Sequence, residues 1–202
     1  IAMRWKFPSR AEISHRPKRS MMQPDFDVLI TAEEAWPALE RAVLEARSEI
    51  LAGFRIFDLG TALRSPEARA IGTDWFDLLA HALARGVKIV LVVSDFDPVM
   101  GTPLHELSWR TVRQAAALSE IATPRPGQLQ VRASMHPATP GVLPWLALVP
   151  SVVAKRSRRL QRLRDVSLTR EAVGLNDDTL PEIHTVTHHQ KLAVIDGETL
   201  YV

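Results

Sequence analysis

The residues with the clearest chemical potential lie near the end of the chain, where His189 and Lys191 precede an apolar run at 192–195. An apolar run with β-branched residues that ends in Asp196-Gly197 predicts a buried strand followed by a tight turn. Side chains two residues apart on a strand share a face, so we expect the imidazole and the ammonium to project together. A neutral imidazole can attack phosphorus, and a lysine cation can hold the anionic oxygens of a phosphodiester.

The aspartate of the predicted turn has a different expected role. Asp196 has the opposite strand parity to His189, and the seven residue-to-residue steps from one to the other span roughly 23 Å at about 3.3 Å per step in an extended chain. We therefore expect no contact between the two side chains. With Gly197, Asp196 is predicted to form the two-residue turn of a hairpin whose return strand covers residues 198–202.

The spacing His189-x-Lys191-x-x-x-x-Asp196 resembles the signature of the phospholipase D superfamily, and the run 187–196 is similar to the first signature of its larger members. Three residues at a fixed spacing would be a weak match by themselves. This match is more specific because His188, the apolar strand and the Asp-Gly turn accompany them. The alternative is an ordinary buried hairpin that carries a chance His and Lys. The resemblance implies hydrolysis or transphosphatidylation of phospholipids through a phosphohistidine, with His189 and Lys191 as the catalytic pair and no cofactor. Asp196 is then a signature member with a structural role.

Members of that superfamily continue after the signature with a glycine-containing pair and an Asn, and carry a second signature further on. The sequence ends at Val202, where such a continuation would begin. On the resemblance, this chain supplies one His/Lys half-site, and the second half is expected from a missing C-terminal part or from a dimer mate. We therefore expect the chain alone to have little activity. A nuclease of the same superfamily and a non-catalytic module that binds anionic lipid or phosphate are the alternative functions.

Composition sets the limits for the rest of the chain. At 202 residues with 46% hydrophobic content, the chain is long enough for one sizeable core. The absence of cysteine excludes disulfides, thiolate metal sites and cysteine nucleophiles. Residues 1–24 are basic and rich in helix breakers, so we interpret them as a tail or peripheral arm before a phospholipase D-like domain at 25–202. No signal peptide or transmembrane segment is recognisable, which predicts a cytoplasmic location or a peripheral one at the membrane.

The order of predicted elements after residue 25 is β-α-β-α-β, which indicates an α/β fold with a mixed sheet. Thr31 and Glu34 form the pattern of a capping box at the start of the first helix. The strand at 87–93 is continuously apolar, which predicts helices on both faces of the sheet.

Two aspartates follow that strand. Asp95 and Asp97 flank an aromatic at the predicted carboxyl edge of the sheet, where they are candidate substrate-binding residues, with a simple turn as the alternative. No further acid or histidine at ligand spacing accompanies them, so we predict no metal site. His105 and His136 also lack a partner at catalytic spacing, and we expect them to be surface or packed residues.

The most apolar segment, 142–154, is too short and too proline-interrupted to span a bilayer. It is followed by a basic run on a predicted helix. We expect this pair of features to contact a membrane peripherally, with core packing or a basic strip for nucleic acid as alternatives. Nucleic acid is the least favoured because the run lacks interleaved aromatics for base stacking. The residues expected at the membrane are Trp145, Lys155, Arg156, Arg158 and Arg159.

Overall fold

The computed structural model describes residues 2–6, 25–164 and 183–202, and its fold is a seven-stranded mixed sheet with five helices. The strands are β1 Ala2–Lys6, β2 Asp25–Leu29, β3 Glu49–Phe54, β4 Lys88–Ser94, β5 Leu129–Ser134, β6 Lys191–Ile195 and β7 Thr199–Tyr201. The helices are α1 Ala32–Glu45, α2 Pro66–Arg69, α3 Trp75–Ala84, α4 Thr102–Ala122 and α5 Val142–Arg164. The α/β class and the mixed sheet are thus confirmed.

The sheet has the strand order β2-β1-β7-β6-β3-β4-β5. Strands β3, β4 and β5 are parallel to one another, and every other pairing is antiparallel. Because β3, β4 and β5 are parallel, their carboxyl ends meet at one edge. The predicted hairpin is present, and Asp196 and Gly197 have φ angles of 55° and 68° that suit a tight turn. Ile195 pairs with Thr199, so Glu198 belongs to the connection and the return strand begins one residue later than predicted.

Helix α1 forms where the sequence predicts it. The Glu34 N–H donates to the Thr31 hydroxyl at 3.3 Å, and the Glu34 carboxylate accepts from the Thr31 N–H at 3.2 Å, which completes the capping box. Leu39 and Val43 of this helix pack on Ile50 and Leu91 in the main core. This core lies between one face of the sheet and the helices α1, α3 and α4.

The opposite face of the sheet differs from the prediction. Val92 of β4 and Leu51 of β3 lie at the middle of the sheet, yet they are 37% and 36% exposed on this second face. Ile89, Leu91 and Val93, which alternate with Val92, are buried under the helices. Side-chain exposure thus alternates along β4, although every residue from 89 to 93 is apolar. Among the described residues, helices therefore cover only one face of the sheet. We call this second face the open face.

The predicted basic tail begins with a strand of the sheet. Strand β1 lies between β2 and β7, and Met3 exchanges backbone hydrogen bonds of 2.7 and 2.8 Å with Val202. The expectation of a tail over residues 1–24 is therefore wrong for 2–6, and the folded unit does not begin at residue 25. The rest of that segment, 7–24, lies outside the described residues.

Helix α5 runs through both the apolar and the basic segment. Pro150 lies inside it on the exposed side, where the carbonyl that loses its backbone partner can bind water. The apolar segment and the basic run thus belong to one helix. Within the described ranges, no helix is long and apolar enough to cross a membrane.

Candidate functional site

The segment 183–190, which we call the edge segment, lies along the carboxyl ends of the parallel strands and leads into β6. Near its start, the His184 N–H donates to Asp97 Oδ2 in the loop after β4, at 3.0 Å. Further along, the Ser94 hydroxyl donates to the His188 carbonyl oxygen at 2.7 Å. Because these bonds tie it to β4 and its outgoing loop, the edge segment brings several histidines to the sheet edge where ligands of α/β proteins commonly bind.

The two expected catalytic residues face solvent. Lys191 is the first residue of β6, and His189 lies two residues earlier in the edge segment. Both side chains are exposed, and neither of these side chains makes a hydrogen bond or ion pair with a residue of the described ranges. The two-residue periodicity of a strand does not extend to His189, because the backbone there is irregular. The shared face predicted for this pair therefore stays a prediction.

The neighbours of His189 lie on opposite sides of the sheet. His188 and Gln190 line a cavity of 180 Å³ on the open face. Lys191 lines a cavity of 380 Å³ on the helical side, between the start of α1 and strands β6 and β7. Lys191 is the single charged residue among those that line this second cavity, which are Leu29, Ile30, Thr31, Ala32, Ala35, Trp36, Leu39, Phe54, Ile56, Lys191, Tyr201 and Val202. An apolar cavity with one cation suits an amphiphile with an anionic group.

Asp196 fixes the other end of β6. Its Oδ1 accepts hydrogen bonds from the Ser48 N–H and hydroxyl, both 2.8 Å, and from the Glu49 N–H at 2.9 Å. Its Oδ2 accepts from the Arg47 N–H at 2.8 Å. Burial alone acts to raise the pKa of Asp196, but these hydrogen bonds outweigh it and lower the pKa from 3.8. Asp196 therefore clamps the loop that enters β3.

Three imidazoles lie together at the carboxyl edge. The rings of His136 and His188 have centroids 4.8 Å apart. His136 Nδ1 accepts from the Ala138 N–H at 3.1 Å, which assigns its proton to Nε2 in the neutral form. His184 Nδ1 lies 3.1 Å from the His136 carbonyl oxygen, so His184 donates from Nδ1 and its Nε2 is free to accept. His188 therefore packs against a partner as well as lining the cavity on the open face.

His105 has a partner that the sequence interpretation missed. His105 Nδ1 lies 2.7 Å from Asp95 Oδ1, and the Trp109 indole N–H donates to Asp95 Oδ2 at 3.1 Å. Burial acts to raise the pKa of Asp95, yet the hydrogen bonds from His105, the Phe96 N–H and Trp109, with the His105 charge, lower it overall. His105 is thus a packed residue, as expected, and it is paired with a carboxylate that lies ten residues earlier in the sequence. The one available signal was the four-residue spacing of His105 and Trp109, which places them on one side of a helix.

Asp97 is 4% exposed and serves the backbone. Its Oδ1 accepts from the Val99 and Met100 N–H groups at 2.8 and 2.7 Å, while Oδ2 holds His184. Because the oxygens of both Asp95 and Asp97 already have internal donors, their geometry favours the turn interpretation over substrate binding. The described residues contain no group of three or more metal-ligating side chains arranged to hold an ion.

The residues expected at a membrane separate into two groups. Trp145 packs into a small cluster with Val152 and Ile183, so its ring is not an exposed wedge. Lys155 and Arg158 are exposed, and Arg156 is half-buried. Arg159 belongs to α5, but its side chain lies outside the described part of the structure.

No protein-family model matches the chain, and a comparison with curated proteins found no match. The chemistry of the site must therefore be inferred from its residues. An exposed imidazole and an exposed ammonium lie near one sheet edge, and neither is engaged by another described residue. Such a pair can bind an anionic phosphorus group and attack it.

Proposed function

We propose that the chain provides one His/Lys half-site of a phospholipase D-type phosphodiesterase that hydrolyses phospholipids or transfers their phosphatidyl group. The observation that carries this proposal is that the side chains of His189 and Lys191, at the carboxyl edge beside β3, are exposed and bond no other residue in the part of the chain that the structure describes. The histidines of the same segment that have structural bonds, His184 and His188, are attached through their backbone or packed on His136. His189 is the imidazole of the segment that stays available.

The reaction proceeds in two steps. The lone pair of the neutral His189 ring attacks phosphorus, and the bond from phosphorus to the leaving alcohol oxygen breaks. A second histidine, from the other half-site, donates its proton to that oxygen. Water or another alcohol then attacks phosphorus, gives its proton to the second histidine, and breaks the bond between phosphorus and nitrogen. Lys191 holds the non-bridging oxygens in both steps.

The cavity beside Lys191 favours a lipid over a nucleic acid. Its wall is apolar apart from a few hydroxyls and the lysine, and its volume of 380 Å³ fits part of an acyl chain. A polynucleotide carries one charge per phosphate along its length and calls for several cations along a groove. A phospholipid has one phosphodiester next to apolar chains, which is the pattern that this cavity presents.

The test compares head-group release from phosphatidylcholine vesicles with nicking of plasmid DNA, over a range of protein concentrations. We expect low turnover at high dilution and a steeper than linear rise with concentration, because two half-sites must meet. His189→Ala and Lys191→Ala should abolish release and transfer to an added alcohol. His81→Ala on α3 and Lys88→Ala at the amino end of β4 are matched controls that should retain both.

Three results would contradict the proposal. Plasmid nicking without head-group release would make the protein a nuclease. Turnover by a purified monomer that disappears in His189→Ala would contradict the need for a second half-site. Absence of turnover at every concentration, together with phosphate binding that is lost in Lys191→Ala, would leave a binding module instead of an enzyme.

A further inference from the structure

Helix α5 has two apolar sides, and one of them is exposed. Leu148, Val149 and Val152 pack with Trp145 against Val99 and Ile183. On the other side, Val142 is 75% exposed, Leu143 79%, Leu146 56% and Val153 47%. At 3.6 residues per turn these four side chains project within an arc of about 100°. Helix α5 therefore presents an apolar stripe to solvent, which we call the α5 stripe.

The second half of the same helix is strongly cationic. Its basic residues are Lys155, Arg156, Arg158, Arg159, Arg162 and Arg164, and residues 142–164 contain no Asp or Glu. Of the basic side chains that the structure describes, the exposed Arg158 lies about 60° around the helix from the edge of the α5 stripe, whereas Lys155 lies on the opposite side, with its Nζ 3.9 Å from Met100 Sδ. No intrahelical ion pair can offset this charge, so the helix favours an anionic surface.

We propose that α5 docks flat on an anionic phospholipid bilayer, with the α5 stripe at the boundary between head groups and acyl chains and Arg158, beside the stripe, at the lipid phosphates. The argument is one of complementarity, since apolar side chains and cations without acids match the two layers of such a surface. The residues at the lipid differ from those that the sequence indicates, because Trp145 faces the protein. Docking is independent of the proposed catalysis and would hold the chain at the surface that contains its substrate.

The experiment is flotation of the full chain with vesicles of phosphatidylcholine alone and of phosphatidylcholine mixed with phosphatidylglycerol. We expect binding to the mixed vesicles that weakens with salt, and little binding to phosphatidylcholine alone. The double variant Leu143→Ser, Leu146→Ser should reduce the partition coefficient at least roughly tenfold, because exposed side chains lose their apolar burial. Arg158→Glu should reduce it at least about fivefold.

Matched controls separate docking from general effects on the chain. Ile121→Ser removes an apolar side chain that is 70% exposed on α4, and Arg113→Glu reverses an exposed cation of the same helix. Both controls should float like the unchanged chain. His189→Ala should also float unchanged, so a failure of the catalytic proposal is distinguishable from a failure of docking.

Several outcomes overturn docking. Equal binding to both vesicle types, or equal losses in the α5 and α4 variants, would remove the specific role of α5. A Leu143→Ser, Leu146→Ser variant that still floats but changes from dimer to monomer in light scattering would make the stripe an interface between copies. Binding to duplex DNA that Arg158→Glu removes, without vesicle binding, would assign the helix to nucleic acid.

Discussion

Asp196 offers the sharpest test of how this site is built, because its carboxylate lies at the far end of β6 from Lys191 and accepts hydrogen bonds from the loop that enters β3. The substitution Asp196→Asn keeps the side chain's size and tolerates the φ of 55° better than most residues would. It replaces one carboxylate oxygen by an NH₂ group, so at least one of the N–H donors of Arg47, Ser48 and Glu49 loses its acceptor. The remaining bonds lose the assistance of the charge.

The free energy of unfolding should fall by about 2 kcal/mol, because one charge-assisted hydrogen bond is lost and the others are weakened. For a domain of this size, that cost corresponds to a fall in Tm of about 4–8 °C. Urea unfolding should show a lower midpoint with an unchanged slope. The control is Asp27→Asn, because Asp27 makes a surface ion pair of 3.5 Å with Arg4, and such pairs contribute less than about 1 kcal/mol.

The pH dependence of the difference gives an independent check. Hydrogen bonds lower the pKa of Asp196 in the folded protein from 3.8, despite burial, which acts to raise it. The stabilisation is therefore fully present above the ordinary pKa and is lost as the pH falls through the folded-state value. The unchanged chain and Asp196→Asn should differ most near neutral pH and converge in acid. A difference that stays constant into acid, or a loss of stability no larger than in Asp27→Asn, would refute the clamp.

Three further substitutions test the supports around the site by urea unfolding. Asp97→Ala should lower the free energy of unfolding by about 3 kcal/mol, because three backbone N–H groups lose a buried acceptor. It should also increase amide hydrogen exchange at His184. Unchanged exchange would mean that Asp97 does not hold the edge segment. Glu40→Ala should also cost about 3 kcal/mol because the fully buried Glu40 accepts the Ser65 N–H at 2.6 Å, and a loss below about 1 kcal/mol would contradict this role. Thr31→Ala should lower the free energy of unfolding by about 1 kcal/mol, because the helix cap is lost. The control Thr139→Ala, at a position outside any helix, should leave it unchanged.

The features that the sequence predicts correctly depend on neighbours in the chain. The capping box of Thr31 and Glu34 needs only three residues, and the hairpin needs only an Asp-Gly pair between apolar runs. In both cases the interacting groups lie within one turn of backbone. Local side-chain chemistry therefore determines the structure before any tertiary contact forms.

The features that the sequence misses depend on distant partners. Strand β1 is basic by composition, yet it is ordered by pairing with β2 and with β7 at the other end of the chain. The pairing of Asp95 and His105 requires the loop after β4 and the start of α4 to take one particular course. The continuously apolar sequence of β4 does not distinguish a sheet that is covered on both faces from a sheet that has one open face. None of these partners is encoded by a short spacing.

The spacing of His189, Lys191 and Asp196 has a physical explanation in this fold. His189 and Lys191 lie where β6 begins at the carboxyl edge of β3, and Asp196 lies where β6 ends and accepts hydrogen bonds from the residues that begin β3. The five residues of β6 are the length needed to cross the sheet from one edge to the other. Asp196 thereby fixes the register between β6 and β3, and a shift by one residue would move Lys191 to the opposite face of the sheet. The carboxylate thus controls where the lysine cation projects, although it lies at the other end of β6, so its loss should reduce stability and the positioning of Lys191 together.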